Sequence, residues 1–416
     1  MAPSPTGGNL WTVAVDVGLG GARAKAGGGG PGLELVGACG FRRLETMVRA
    51  AGEAVERLAL VPGERDPARI LAVPSDHERR VHVGVPGVAR TAELVDRNPV
   101  DCLPAADLSP GAQRRTVLLP AAVVDDPVDE RLREWVDPSP SAAAAGTSWT
   151  YASMRALLES IERDAVQSAW ALKPALPCLD PAEPPADWRV GKSGRVLDSV
   201  AEALADDPAL TARTLLLPTG VPGVSCALTV LFDRGGPTAA GSAADWSVAS
   251  AVATSAREAL QVMVVLRNLG PAQHRLDRTD VVDEISRAQY WAEPSSAAEP
   301  LRWLEHGLAY EGPGPAETPP PRSEEARLEH LASHLANEGL TPLICDLTAR
   351  LPPAIRALGW VAVRAIVLGH QALRMDERHR WSWAQFRLRS AAAKFGLPPV
   401  VALLSSVDGE GPHPLI

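Results

Sequence analysis

The stretch "ALLESIERDA" sets Glu159 and Glu162 three residues apart and follows the second directly with Arg163 and Asp164. Residues three apart on a helix share a face, so both carboxylates address one spot. Two carboxylates aimed at one partly buried spot repel and tend to hold a proton unless a cation lies between them. The pattern recurs: "AAGEAVERLA" places Glu53, Glu56 and Arg57 where the later helix has Glu159, Glu162 and Arg163, and "SAREALQ" repeats the spacing with Glu258 and the amide of Gln261. Magnesium suits such oxygen donors, because it retains several waters and is commonly completed by phosphate oxygens.

Other motifs offer less. "WRVGKSGR" has the Gly-Lys-Ser of a phosphate-cradling loop, but Ala186 stands where its first glycine belongs, so the segment reads as a turn. In "TVAVDVGLGGARAK", Arg23 replaces the third glycine of GxGxxG, which leaves a hairpin running into "AGGGGPG". "HLASH" sets His330 and His334 at zinc-ligand spacing with no central Glu or third ligand, so it reads as a solvated helix face. Ser225 and Cys226 in "GVSCA" read as packing residues of an apolar strand.

The elements that must position the acidic groups follow from periodicity. "LETMVRAAGEAVERLALV", "YASMRALLESIERDAVQSAWAL", "VLDSVAEALADDP" and "DWSVASAVATSAREALQVMVVLRNLG" have helical apolar spacing. "TARTLLLP", "GVPGVSCALTVLFD", "TPLICDLT" and "WVAVRAIVLG" read as strands, and residues 66 to 136 have strand-and-turn grammar. The fold class is α+β, with mixed sheets and packed long helices and too few βαβ units for a doubly wound sheet.

The chain has 416 residues, enough for a large core, with 46% hydrophobic and 22% charged residues. Its net charge of -9 supplies no footprint for a nucleic-acid backbone or an anionic membrane. No run approaches the roughly 20 apolar residues of a membrane span, and the start lacks a signal-peptide pattern. The cysteines Cys39, Cys102, Cys178, Cys226 and Cys345 are scattered without a CxxC pair, which fits a reducing cytoplasm.

Taken together, "ALLESIERDAVQSAW", "LLPTGVPGVSCALTV", "REALQ", "ICDLTARLPPAIRALGWVAVRAIVLGHQAL" and the terminal "PHPL" resemble the YcaO-domain family, in order and spacing. The resemblance implies a YcaO-like domain over 37–416 after an N-terminal extension of 1–36, with flexible loops near 137–148 and 311–323. It further implies ATP-dependent activation of backbone amides in a ribosomally made precursor peptide, closing Cys, Ser or Thr side chains into thiazoline or oxazoline rings, as in bacteriocin maturation. The chemistry is consistent with metal and cationic clamps, since phosphoryl transfer asks for positioning more than for protein nucleophiles.

Carried over by position, Glu159, Glu162, Glu258 and Gln261 hold Mg-ATP, with Glu159, Glu162 and Glu258 toward Mg2+, and Arg364 contacts phosphate. Pro412, His413 and Pro414 match the proline-rich tail that reaches the active site. Glu53, Glu56, Arg57, Arg163 and Arg267 are further candidates. The partners implied are the precursor peptide and a separate leader-peptide-binding protein, with a flavin-dependent azoline dehydrogenase and a homodimer as additional ones. The sequence departs from the family pattern at Cys39, where a Lys is usual, at Ala50 in place of Ser, at Leu368 in place of Pro, and in a tail that lacks a final proline. A noncatalytic scaffold and a thioamide-forming enzyme stand as alternatives.

Overall fold

The computed structural model describes residues 2–3, 10–18, 35–62, 66, 69–72, 100–112, 115–126, 128, 130–137, 139–270, 272–310, 312, 319–397 and 411–416. The "AGGGGPG" connection, Gly20, Gly21 and Arg23, the strand expected in "RRVHVGVPGV", and most of the 311–323 loop lie outside them. In chain order the elements are β1 (Ala2–Pro3), β2 (Trp11–Asp16), β3 (Leu35–Gly40), α1 (Arg43–Leu60), β4 (Ile70–Ala72), β5 (Val100–Asp107) and β6 (Thr116–Pro120). The short α2 (Ala121–Val124), β7 (Ala143–Gly146), α3 (Trp149–Leu172), β8 (Pro177–Leu179) and α4 (Gly191–Asp206) follow. Next come β9 (Leu210–Leu217), β10 (Ser225–Asp233), β11 (Thr238–Asp245), α5 (Val248–Leu269), α6 (Glu284–Ala292) and α7 (Ala298–Leu304). The chain continues through β12 (Leu308–Ala309), α8 (Glu324–Asn337), β13 (Thr341–Asp346), α9 (Pro353–Ala357), β14 (Val361–Leu368) and α10 (Gln385–Lys394).

Among the described residues the strands form three sheets, ordered β1-β2-β3, β11-β10-β9-β8-β12, and β4-β5-β13-β14-β7 with β6 also paired to β5. The long antiparallel pairs set the register: Thr229 lies opposite both Thr214 and Gly241, and Arg364 opposite both Cys345 and Ala143. The α+β class holds.

Helix α3 runs between the two larger sheets, packing on β14 and β7 on one side and on β11 on the other. Its N-terminus is fixed by Ser148, whose Oγ accepts the Tyr151 N–H at 3.1 Å, and it ends where Lys173 turns left-handed at φ 44°. Leu157, Leu158, Ile161, Val166 and Trp170 are buried at 2% exposure or less, each aliphatic side chain contributing about 2 kcal/mol of burial. A helix wrapped on almost every side leaves its polar residues facing protein groups rather than water. Helix α1 packs on β2, β3, β7 and β14, and α5 on β10, β11 and β3. The three acid-bearing helices therefore meet: α1 and α3 share β7, α3 and α5 share β11.

The described part of the expected N-terminal extension supplies β2, which pairs with β3 from Trp11↔Gly40 to Asp16↔Leu35. Three expectations are corrected. The loop expected at 137–148 contains β7, because alanines and a glycine are the side chains that fit beneath α1 and α3; a Cβ on Gly146 would lie 2.6 Å from the Tyr151 ring. Gly191, Lys192 and Ser193 form the first turn of α4 rather than a free turn. Finally, α5 is long and apolar enough, by length and composition alone, to cross a membrane, yet 56% of its apolar window is buried inside the protein. Its apolarity serves the core.

The lesser motifs resolve into packing. His330 pairs through Nε2 with the Pro222 carbonyl at 2.8 Å and lies tilted against His334, their ring centroids 4.4 Å apart. Ser225 opens β10 and Cys226 is buried.

Candidate active site

The α3 carboxylates are held by an arginine from their own helix. Arg163 donates from Nη1 to Glu162 Oε1 at 2.7 Å and from Nη2 to Glu159 Oε1 at 3.1 Å. Burial alone would depress this guanidinium, but Glu162 and Glu159 outweigh it and raise its pKa. Glu162 is further fixed by β11: Ser242 Oγ donates to its Oε1 at 2.5 Å and the Ala244 N–H to its Oε2 at 3.1 Å. The same Ser242 Oγ accepts from Arg163 Nη1 at 2.9 Å.

From α1, Glu56 joins this group. Its Oε1 accepts the Ala145 N–H of β7 at 3.0 Å, and burial, followed by the charges of Glu53 and Glu159, pushes its carboxyl well above the usual range. Glu53 accepts from Arg57 Nε at 3.2 Å, and Arg57 also reaches Glu284 at 3.4 Å and Asp126 at 3.9 Å. Arg364 on β14 lies within electrostatic reach of Glu159, but its fork is aimed at backbone: Nη1 donates to Val124 O at 2.7 Å, Nη2 to Ser139 O, and Nε is buried without a partner.

From α5, Glu258 faces Glu162 and Arg163. Protein crowds it although its side chain retains 41% exposure; burial first, then the Glu162 charge, raise its carboxyl to about 7. Gln261, one turn on, uses its whole amide to hold β3, with Oε1 accepting the Cys39 N–H at 2.9 Å and Nε2 donating to Gly37 O at 3.1 Å. Arg267 sits in the last turn of α5, bound to Asp233 at 2.8 Å and Asp207 at 2.7 Å. These two ion pairs tie α5 to β10 and the end of α4, and they commit the guanidinium to the fold rather than to the carboxylate cluster.

The C-terminal tail packs on α3 and α6. Pro412, His413 and Pro414 are buried, and His413 is 1% exposed. Its carbonyl accepts from Arg287 Nη1 at 3.0 Å and Trp291 Nε1 at 3.1 Å, and its Nε2 pairs with Arg374 O. Burial, then the Arg287 charge, hold the imidazole well below its usual pKa, with a smaller effect from Arg163; the contact that ties the tail to α3 is Trp170 Nε1 donating to Gly411 O at 3.2 Å. His413 Nδ1 is buried with no hydrogen-bond partner. Residues that spacing did not reveal complete the site: Ser242 from a strand of small residues, Arg287 from α6, and Arg49 and Arg257, of which only Arg257 gave a signal, standing directly before Glu258.

Among the described residues, no three His, Cys, Asp or Glu side chains converge closely enough to hold a metal ion unaided. A magnesium ion does not require this, since waters and phosphate oxygens fill most of its sphere. The donor set fits it: hard carboxylate oxygens from three helices, two of them raised by burial and by neighbouring carboxylates whose repulsion a cation would relieve.

The family described as YcaO cyclodehydratase, ATP- and Mg2+-binding, matches residues 37–370. The chain belongs to the YcaO family. A search of curated proteins found no match. Among solved structures, the chain is similar to YcaO from Methanopyrus kandleri bound with AMPPCP and Mg2+, at 20% identity and a TM-score of 0.57 over 81% of this chain and 78% of that one. It is also similar to a heterocyclase in complex with substrate and cofactor, at 16% identity and TM-score 0.63, covering 88% of this chain but 49% of the heterocyclase. The E. coli microcin synthetase McbBCD complex matches at 14% identity and TM-score 0.53, over 80% of this chain and 81% of that one. At these identities the likeness concerns the YcaO fold. The matched YcaO domain is an ATP- and Mg2+-binding one.

Two of the expected departures, Cys39 and Ala50, lie in the core. Cys39 and Ala50 are both 0% exposed, and burial raises the Cys39 thiol, whose Sγ lies 3.9 Å from Thr12 Oγ1.

Proposed function

We propose that this chain is the ATP-dependent cyclodehydratase subunit of a peptide-modifying system, activating backbone amides of a ribosomal precursor by O-phosphorylation so that Cys, Ser or Thr side chains close into azoline rings. The observation that carries this reading is the grouping of Glu56, Glu159, Glu162 and Glu258 from three helices about the Arg163 clasp. Glu159, Glu162 and Glu258 would hold Mg2+, which supplies charge neutralisation at the nucleotide phosphates. Glu53 and Glu56 extend that acidic wall, and Arg57 and Arg364 border it. Arg364 reaches phosphate by turning one arm from its backbone partners, and Gln261 acts on the nucleotide side by holding β3. Arg267 is assigned to the fold. The tail of Pro412, His413 and Pro414 closes the site, its neutral imidazole available as a proton acceptor near the reacting amide.

A leader-peptide-binding protein is the expected partner; the chain spans about half the length of the heterocyclase it resembles. A flavin-dependent azoline dehydrogenase would act on the product. Five free cysteines suit a reducing cytoplasm.

The test is incubation of the chain with its precursor, partner, ATP and magnesium, followed by mass spectrometry. Loss of one water per ring is expected for wild type, with a fall of at least tenfold in rate for Glu159→Gln and Glu258→Gln, since each removes a charge used in binding and transfer. Oxygen-for-sulfur exchange with a sulfide donor would point to a thioamide enzyme. Equal rates in both variants would leave the scaffold reading, which the buried Cys39 and Ala50 favour.

A further inference from the structure

Beside the acidic cluster lies a second one of opposite sign. Arg49 of α1 and Arg257 of α5 lie on helices that both pack on β3 and are within electrostatic range of each other, and Arg155 of α3 is within range of Arg257. Their carboxylates are largely committed elsewhere. Glu45 is bound by Lys192 at 3.1 Å, Asp245 answers Arg155, and Glu258 is shared with Arg163. Arg257 Nη2 has only a long 4.0 Å contact with Glu258 Oε1, and Arg49 has no hydrogen bond or ion pair to a described residue. The Nε of each is buried without a hydrogen-bond partner. What sets the pair apart from Arg163, Arg287 and Arg364, whose Nε atoms are also unpartnered, is that the other guanidinium nitrogens of Arg49 and Arg257 lack a close acceptor as well. Like-charge proximity also shows in Arg49, depressed to about 10 by burial and by Arg257.

We infer that Arg49 and Arg257 form an anion site for the phosphate chain of the nucleotide, facing the metal-side carboxylates across Glu258. A guanidinium fork matches phosphate oxygens bidentately, and two forks from different helices would grip a chain lying between them. The Cys39–Gly40 end of β3 lines it: a Cβ on Gly40 would sit 2.8 Å from Arg49 Nη2, so the absence of a side chain lets the guanidinium lie against the backbone. Both arginines act electrostatically on Cys39. The cation absent at position 39 is thus replaced in space, from two other elements. This inference rests on the nucleotide reading above and deepens it.

The experiment is calorimetric titration of the full chain with ATP, AMP and inorganic tripolyphosphate, each with magnesium, for wild type and for R49Q, R257Q, R49K and R257K. Wild type is expected to bind ATP and tripolyphosphate. Each Gln variant should lose at least tenfold of both affinities while AMP binding moves less than twofold, and the Lys variants should recover part of the loss. If a Gln variant does not fold, its Lys counterpart carries the test, with an expected loss of severalfold. ATP affinity unchanged in R49Q and R257Q, or in the Lys pair where those replace them, would overturn the anion site and leave the nucleotide reading intact. Arginine-dependent binding of tripolyphosphate without ATP binding would do the reverse. Failure of wild type to bind either would overturn both.

Discussion

Arg287→Met is expected to lower stability by about 3 kcal/mol and to free the C-terminal tail. Arg287 is 0% exposed and fans out to four acceptors: Glu377 Oε1 and His413 O at 3.0 Å from Nη1, and Arg374 O at 3.1 Å and Met375 O at 2.9 Å from Nη2. Methionine fills much of the volume but leaves the Glu377 carboxylate, itself 2% exposed, with Arg374 as its near partner at 2.7 Å. The tail keeps Trp291 Nε1 on His413 O, the Trp170 Nε1 bond to Gly411 O at 3.2 Å and the Glu299 bond to Gly411 N at 2.7 Å. Three kcal/mol corresponds to about a hundredfold in the population of opened molecules. Urea denaturation would show the loss, and carboxypeptidase removal of Ile416 and Leu415 should accelerate correspondingly. Arg287→Lys should not rescue, because an ammonium cannot reproduce a planar fork. Digestion at the wild-type rate would mean that the tail is held by other contacts.

Gly241→Ala should cost about 3 kcal/mol through overpacking and disturb the site directly. A Cβ there would lie 2.4 Å from both Ala259 N and Ser255 O and 2.7 Å from Glu258 Cβ. The first two are backbone atoms, so α5 itself must move, and Glu258 moves with it. Gly52→Ala supplies the contrast: this glycine is inside α1 with nothing within 4 Å of the point a Cβ would occupy, so alanine should stabilise by about 1 kcal/mol through helix propensity. Thermal or urea unfolding of the two variants checks both signs.

How much of this was legible in the sequence follows from which residues carry a periodic signal. α1, α3 and α5 were readable from apolar spacing, and the Glu53, Glu56, Glu159, Glu162 and Glu258 pattern from its repetition. β7 and β11 were not, because "AAAG" and "TAAGSAAD" have neither β-branched enrichment nor alternation; they are buried on both faces and kept small by the helices lying on them. Gln261 stood at the right spacing, but its engagement with Gly37 and Cys39 depends on β3 arriving from 222 residues away in sequence. Arg267 illustrates the opposite case, since a cation near the motif in sequence went to Asp207 and Asp233. Arg49 and Arg257 gain meaning only when two helices and a strand are brought together.

The pairing of Glu159 and Glu162 finds its physical reason in Arg163, which bridges both and holds them toward Glu258. Arg163 offsets only part of the cluster's negative charge, since Glu56 and Glu258 are still raised by burial and by neighbouring carboxylates. The most direct measurement of the central claim is calorimetric binding of ATP with magnesium to the purified chain beside its Glu159→Gln variant. Magnesium-dependent binding by wild type that falls at least tenfold in the variant is the predicted result; equal binding by the two, or none by wild type with its partner protein added, would contradict it.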